Sequence, residues 1–154
     1  MHPDHWNPYF SEYQGQTLLT LRTPKATDRQ EAYSIVKKIV YDLAAAHDLT
    51  PKQIAAIGVY CGSTTPSERH LHLLIDSDSP ELAKLDNRKN PEGKRPRLPL
   101  KRYHPALDHV DALEISPIED RQAVNSYLSS NYNSHPATDI LKINTARLEA
   151  NRSI

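Results

Sequence analysis

The sequence predicts an α+β fold: an antiparallel sheet of four to five strands with helices mainly on one face, in a split β-α-β arrangement. Three features carry this expectation. Segments rich in strand formers alternate apolar and polar residues, and one long segment repeats apolar residues at helical spacing. The elements then follow in the order strand, helix, strand, strand, loop, strand, helix.

Residues 1–15 form an N-terminal arm with Trp6, Tyr9, Phe10 and Tyr13 among polar neighbours, which suits a docked arm or a short helix. Residues 17–23 are rich in strand formers and stop at Pro24. With Leu19 and Leu21 turned to a core, Thr20 and Arg22 line the opposite surface. A helix follows, opened by the capping-box pattern Thr27-x-x-Gln30 and carrying Ala32, Ile35, Val36, Ile39, Val40 and Leu43 at helical spacing. It should end near His47-Asp48, ahead of Pro51. The run from Ile54 to Cys61 reads as the next strand, with Cys61 a strand residue facing the core, and residues 62–67 read as a turn cluster. The strand through His70 comes directly after and must pair antiparallel with its predecessor. Ser79 is placed to cap a short helix holding Leu82 and Leu85.

Residues 87–107 hold Pro91, Pro96, Pro99 and Pro105, a density no regular element survives, so a long exposed loop is expected. Residues 110–115 predict another strand, and residues 119–131 a helix with Ala123, Val124, Tyr127, Leu128 and Asn131 on one side. In the tail, residues 136–154, either a strand at 140–143 or a helix at 146–150 fits. One domain, with its core over about residues 17–133, is the organisation expected of a 154-residue chain.

Composition narrows the setting. The chain is 38% hydrophobic and 25% charged, with no apolar run of membrane-spanning length, so a soluble protein without a membrane partner is expected. Its opening residues are polar and do not resemble a signal peptide. One cysteine excludes an internal disulfide and a multi-cysteine zinc cluster, and fits a reducing cytoplasm. Formal charge balances, but eight of the 19 basic residues fall between Lys84 and Arg102, among them Lys94, Arg95, Arg97, Lys101 and Arg102. That segment is expected to form a positive patch.

The chemistry centres on Ser67-Glu68-Arg69-His70-Leu71-His72-Leu73-Leu74-Ile75. In an extended strand Glu68, His70 and His72 share one face, while Leu71, Leu73 and Ile75 share the other. Two imidazoles side by side, with a carboxylate on the same face, resemble the beginning of a metal site.

The order of three motifs resembles the HUH endonuclease superfamily, which includes rolling-circle replication initiators, relaxases and IS200/IS605 transposases. A first strand rich in Thr and Leu is matched by residues 18–23. The signature His-hydrophobic-His followed by three hydrophobic residues is matched by His70-Leu71-His72-Leu73-Leu74-Ile75. A helix bearing a nucleophilic tyrosine is matched by residues 123–132, with Tyr127 as the nucleophile and Tyr132 as its rival. The two tyrosines are five residues apart, about 140° around a helix.

The resemblance implies a ferredoxin/RRM-like HUH fold. It also implies a metal-dependent, site-specific endonuclease and strand transferase acting on single-stranded DNA, at an origin or hairpin. His70 and His72 would hold a divalent metal, Mn2+ or Mg2+, with Asn131, one helical turn after Tyr127, or Glu68 as third ligand. Tyr127 would form a 5′-phosphotyrosine, as in initiation of rolling-circle replication. A host helicase and polymerase would be partners, in the cytoplasm of a prokaryotic host carrying a mobile element or virus. Arg22, Arg69 and the basic loop would hold the DNA. Two departures stand out: Ser130 occupies the position of the lysine usual three residues after the tyrosine, and Val59-Tyr60-Cys61 replaces an acidic ligand. They leave room for an alternative, a catalytically silent nucleic-acid-binding module on the same fold. An IS200-type transposase is a further alternative.

Overall fold

The computed structural model describes residues 12–22, 28–61, 69–86, 113–134 and 138–152. Its strands are β1 (Thr17–Arg22), β2 (Ile54–Cys61), β3 (His70–Ser77), β4 (Leu113–Pro117) and β5 (Thr138–Ile143); its helices are α1 (Arg29–Ala46), α2 (Pro80–Ala83), α3 (Arg121–Ser134) and α4 (Thr145–Ala150). The five strands make one sheet in the order β4-β1-β3-β2-β5, and each neighbouring pair is antiparallel. The strands β1 and β2 that flank α1 are therefore parallel, with β3 inserted between them. The split β-α-β expectation and the α+β antiparallel class hold.

Alternation sorts the sheet into two faces. Leu19, Leu21, Ala56, Tyr60, Leu71, Leu73, Ile75, Leu141 and Ile143 share one core with the apolar side of α1, namely Ala32, Ile35, Val36, Ile39, Val40 and Leu43. Leu82 of α2 joins them. The other face carries Ala55, Ile57, Val59 and Leu74, packed with Leu128 of α3, Leu148 of α4 and Tyr13. Helices thus cover both faces, which corrects the expected one-sided layer. The reason is physical: Ala55, Ile57, Val59 and Leu74 are apolar on the histidine side as well, and leaving them in water would forfeit about 25 cal/mol per Å².

Local signals explain the element ends. The first cap lies one residue beyond the expected Thr27: the Asp28 carboxylate accepts from the Glu31 N–H at 2.8 Å. Ser79 caps α2 as expected, accepting from the Leu82 N–H at 3.1 Å. Asp120 accepts from the Ala123 N–H at 3.1 Å and starts α3. The tail forms both of its alternatives, an edge strand and a helix, so the sheet extends past residue 133. Tyr13, in the arm, is buried under α3 and α4; Arg121 donates to its carbonyl and to that of Gly15.

Candidate functional site

The antiparallel register brings the first and third strands together at the histidines. Thr20 is the cross-strand partner of His72, and Arg22 that of His70. On the other side of β3, Val59 faces His72 and Cys61 is the partner of His70. The expected inward orientation of the Cys61 side chain lies outside the described residues.

The two imidazoles lie edge to face, with ring centroids 4.9 Å apart and planes at 70°. His72 is 3% exposed and His70 half-buried. Burial, then the charge of His70, then that of Arg22 pull the His72 pKa from 6.5 to about 3. Its imidazole is therefore neutral at physiological pH, the form that binds a metal.

Thr20 Oγ1 lies 2.9 Å from His72 Nδ1. If the hydroxyl accepts, Nδ1 carries the proton and the buried Nε2 presents its lone pair. Two neutral imidazole nitrogens suit a borderline divalent ion better than a hard one such as Mg2+, which favours oxygen ligands. Sequence reasoning placed Thr20 on this surface without assigning it a partner. The missing signal was the register, which alternation alone does not give.

The structure brings His70, His72 and Arg22 together, and Arg69 immediately precedes β3. The Arg22 side chain is exposed, and among the described residues it makes no hydrogen bond or ion pair. Among the described residues, no group of three or more His, Cys, Asp or Glu is arranged to hold a metal ion. Glu68, Lys94, Arg95, Arg97, Lys101 and Arg102 lie outside the described residues. So do the side chains of Tyr127, Asn131 and Tyr132, although the backbone of all three belongs to α3.

That helix packs on the histidine face of the sheet, against β2 and β5. Its first turn is tied to Gly15 beside Leu74, and its apolar residues Val124 and Leu128 meet β2 and β5 residues Ile57, Val59 and Ile140. Because α3 runs unbroken to Ser134, Tyr127 and Tyr132 share one helix at different phases.

Among the described residues no helix is long and apolar enough to cross a membrane. No family model matches the chain, and no curated protein or solved structure matches it either.

Proposed function

We propose that this protein is a metal-dependent endonuclease and strand transferase of the HUH type, acting on single-stranded DNA as an initiator of rolling-circle replication. The observation that carries the reading is the pair His70–His72, side by side on one sheet face with a neutral, Thr20-bonded His72, on the same face that the helix bearing Tyr127 covers at β2 and β5.

In this reading His70 and His72 would hold Mn2+ or Mg2+, with Asn131 or Glu68 completing the site, and the ion would supply Lewis-acid stabilisation of charge on the phosphate. Arg22 and Arg69 flank the pair and orient the phosphodiester. The Tyr127 phenol oxygen bonds to phosphorus, the bond to the 3′ oxygen breaks, and the phenol proton ends on the released 3′ hydroxyl. The 5′-phosphotyrosine conserves the bond energy for later rejoining. An accompanying helicase and polymerase, in the cytoplasm of a host cell, would extend that 3′ end.

The test is incubation with single-stranded oligonucleotides and Mn2+, followed by a denaturing gel. A covalent protein–DNA adduct is expected, absent in Tyr127→Phe and in His70→Ala. An adduct that survives Tyr127→Phe and vanishes in Tyr132→Phe moves the nucleophile to Tyr132. Ser130 at the usual lysine position favours one second reading, the silent binding module, which predicts oligonucleotide binding with no adduct under any metal.

A further inference from the structure

We propose that Arg121 is a positioning residue that fixes where α3 lies on the histidine face. Its guanidinium locks the helix, through the arm residues Tyr13 and Gly15, to β3, the strand that carries both imidazoles. The lock itself does not depend on the proposed chemistry; its effect on nicking rests on that reading.

Apolar contact alone leaves the helix's place open. Val124 and Leu128 hold α3 against Ile57, Val59 and Ile140. Such burial is non-directional, so it resists lifting but not a slide or a roll. Directional bonds gather at the first turn. Arg121 donates from Nη1 to the Gly15 carbonyl at 3.2 Å, from Nη2 to the Tyr13 carbonyl, and from Nε to Asn125 Oδ1 at 2.9 Å. Asn125, one turn further along α3, is buried. A planar guanidinium presents its donors in one fixed fork, so these acceptors together define one placement of the helix.

The arm is in turn fastened to β3. The Gln16 N–H donates to the Ile75 carbonyl at 3.0 Å, and Gln16 Oε1 accepts from the Ser77 N–H at 3.2 Å. The Gln16 carbonyl accepts from the Ile118 N–H at 2.9 Å, just ahead of α3. Gly15 packs on Leu74, which has the strand parity of His70 and His72. The Tyr13 ring is held as well, 5.6 Å from Lys142 Nζ and 5.3 Å from the Arg152 guanidinium. Movement of α3 relative to the histidines must therefore break bonds in residues 13–16.

Helix stability does not account for an arginine at this place. A cation at the first residue of a helix faces the positive end of the helix dipole. Burial also works against the charge and lowers the Arg121 pKa from the usual arginine value. Both penalties fall on a residue whose bonds reach out of the helix to the arm.

The experiment uses the full chain with Cys61→Ser, spin-labelled at Glu114→Cys on β4 and Ser126→Cys on α3, both exposed positions. Pulsed electron paramagnetic resonance reads the distance between sheet and helix without DNA or metal. One narrow distribution is expected with Arg121, and a broadened or displaced one in Arg121→Lys and Arg121→Met. Lysine keeps the charge without the planar fork, and methionine keeps only an apolar stem. Asp78→Ala, which loses an ion pair to Arg147 of α4, should keep the narrow distribution. In single-turnover nicking with Mn2+, unlabelled Arg121→Lys should form adduct about tenfold or more slowly, with oligonucleotide affinity within about twofold of wild type.

The lock is overturned if Arg121→Lys keeps the wild-type distribution, or if Asp78→Ala broadens it as much. Arg121→Lys decides alone if Arg121→Met does not fold. An unchanged adduct rate, or a rate and an affinity that fall together, would overturn the positioning role in the reaction. A wild type that forms no adduct sinks the nicking reading and leaves the lock to the distances; an adduct with unchanged distances does the reverse.

Discussion

His72 stays neutral through the range in which an ordinary histidine takes up a proton, and that has a stability consequence. Burial, with His70 and then Arg22, moves its pKa from 6.5 to about 3. Below pH 6.5 the unfolded chain binds a proton that the folded chain refuses, so stability is full above 6.5 and falls as the pH drops toward 3. The slope from this one group approaches about 1.4 kcal/mol per pH unit in the middle of the window. Urea unfolding of wild type and His72→Gln across that window isolates it, because the carboxylates titrate in both proteins. The wild-type advantage should grow with pH; a difference that stays flat would show that His72 titrates normally. The pairing of His70 with His72 on one face was legible in the sequence, since alternation alone puts residues i and i+2 together. The Thr20 hydrogen bond was not, because it depends on which residue of β1 stands opposite His72.

At the level of elements, α4 is fastened to the sheet by a polar network rather than by apolar packing alone. Arg147 donates to Asp76 Oδ1 at 3.2 Å and to Asp78 Oδ1 at 2.9 Å, and Asn151 donates to Asp76 Oδ2 at 2.8 Å. Asp76 is 3% exposed, so its carboxylate depends on these donors. Asp76→Ala should cost about 2 kcal/mol, because it strips buried charge-assisted bonds and leaves donors unmatched. Denaturant midpoints measure the loss; Asp78→Ala, at an exposed carboxylate, should lose much less. This network joins residues 69 to 75 positions apart, and no local pattern reveals such a pair. The long-period signals fared better. The apolar residues of α1 match the buried ones, because 3.6-residue spacing is decided within the helix itself. The tail gave two readings because a strand and a helix each fit a different half of it, and the chain uses both.

Over the whole molecule, the two-sided helix cover follows from β2, whose residues from Ile54 to Tyr60 are all buried. A run without polar alternation is the mark of a strand covered on both faces, and it stood in the sequence as Ile54-Ala55-Ala56-Ile57-Gly58-Val59-Tyr60. A third ligand for the proposed metal site has no comparable mark, since a residue that would complete a site from another element leaves no periodic trace. The same central strand sets how closely the sheet closes around the histidines. At Gly58 a Cβ would stand 1.8 Å from the carbonyl oxygen of His72 and 2.8 Å from Leu73 Cα. Both obstacles are backbone, so relief requires β2 and β3 to part. At Gly15 a Cβ would meet the Leu74 side chain at 3.1 Å, and a side chain can shift. Gly58→Ala should therefore cost more than about 3 kcal/mol, and Gly15→Ala clearly less, by denaturant unfolding. The strand displaced in Gly58→Ala is the one that carries both imidazoles. On the metal reading proposed above, any Gly58→Ala protein that still folds should thus lose thermal stabilisation by Mn2+, while Gly15→Ala keeps it. A Gly58→Ala protein as stable as wild type would mean that β2 and β3 do not approach this closely at His72.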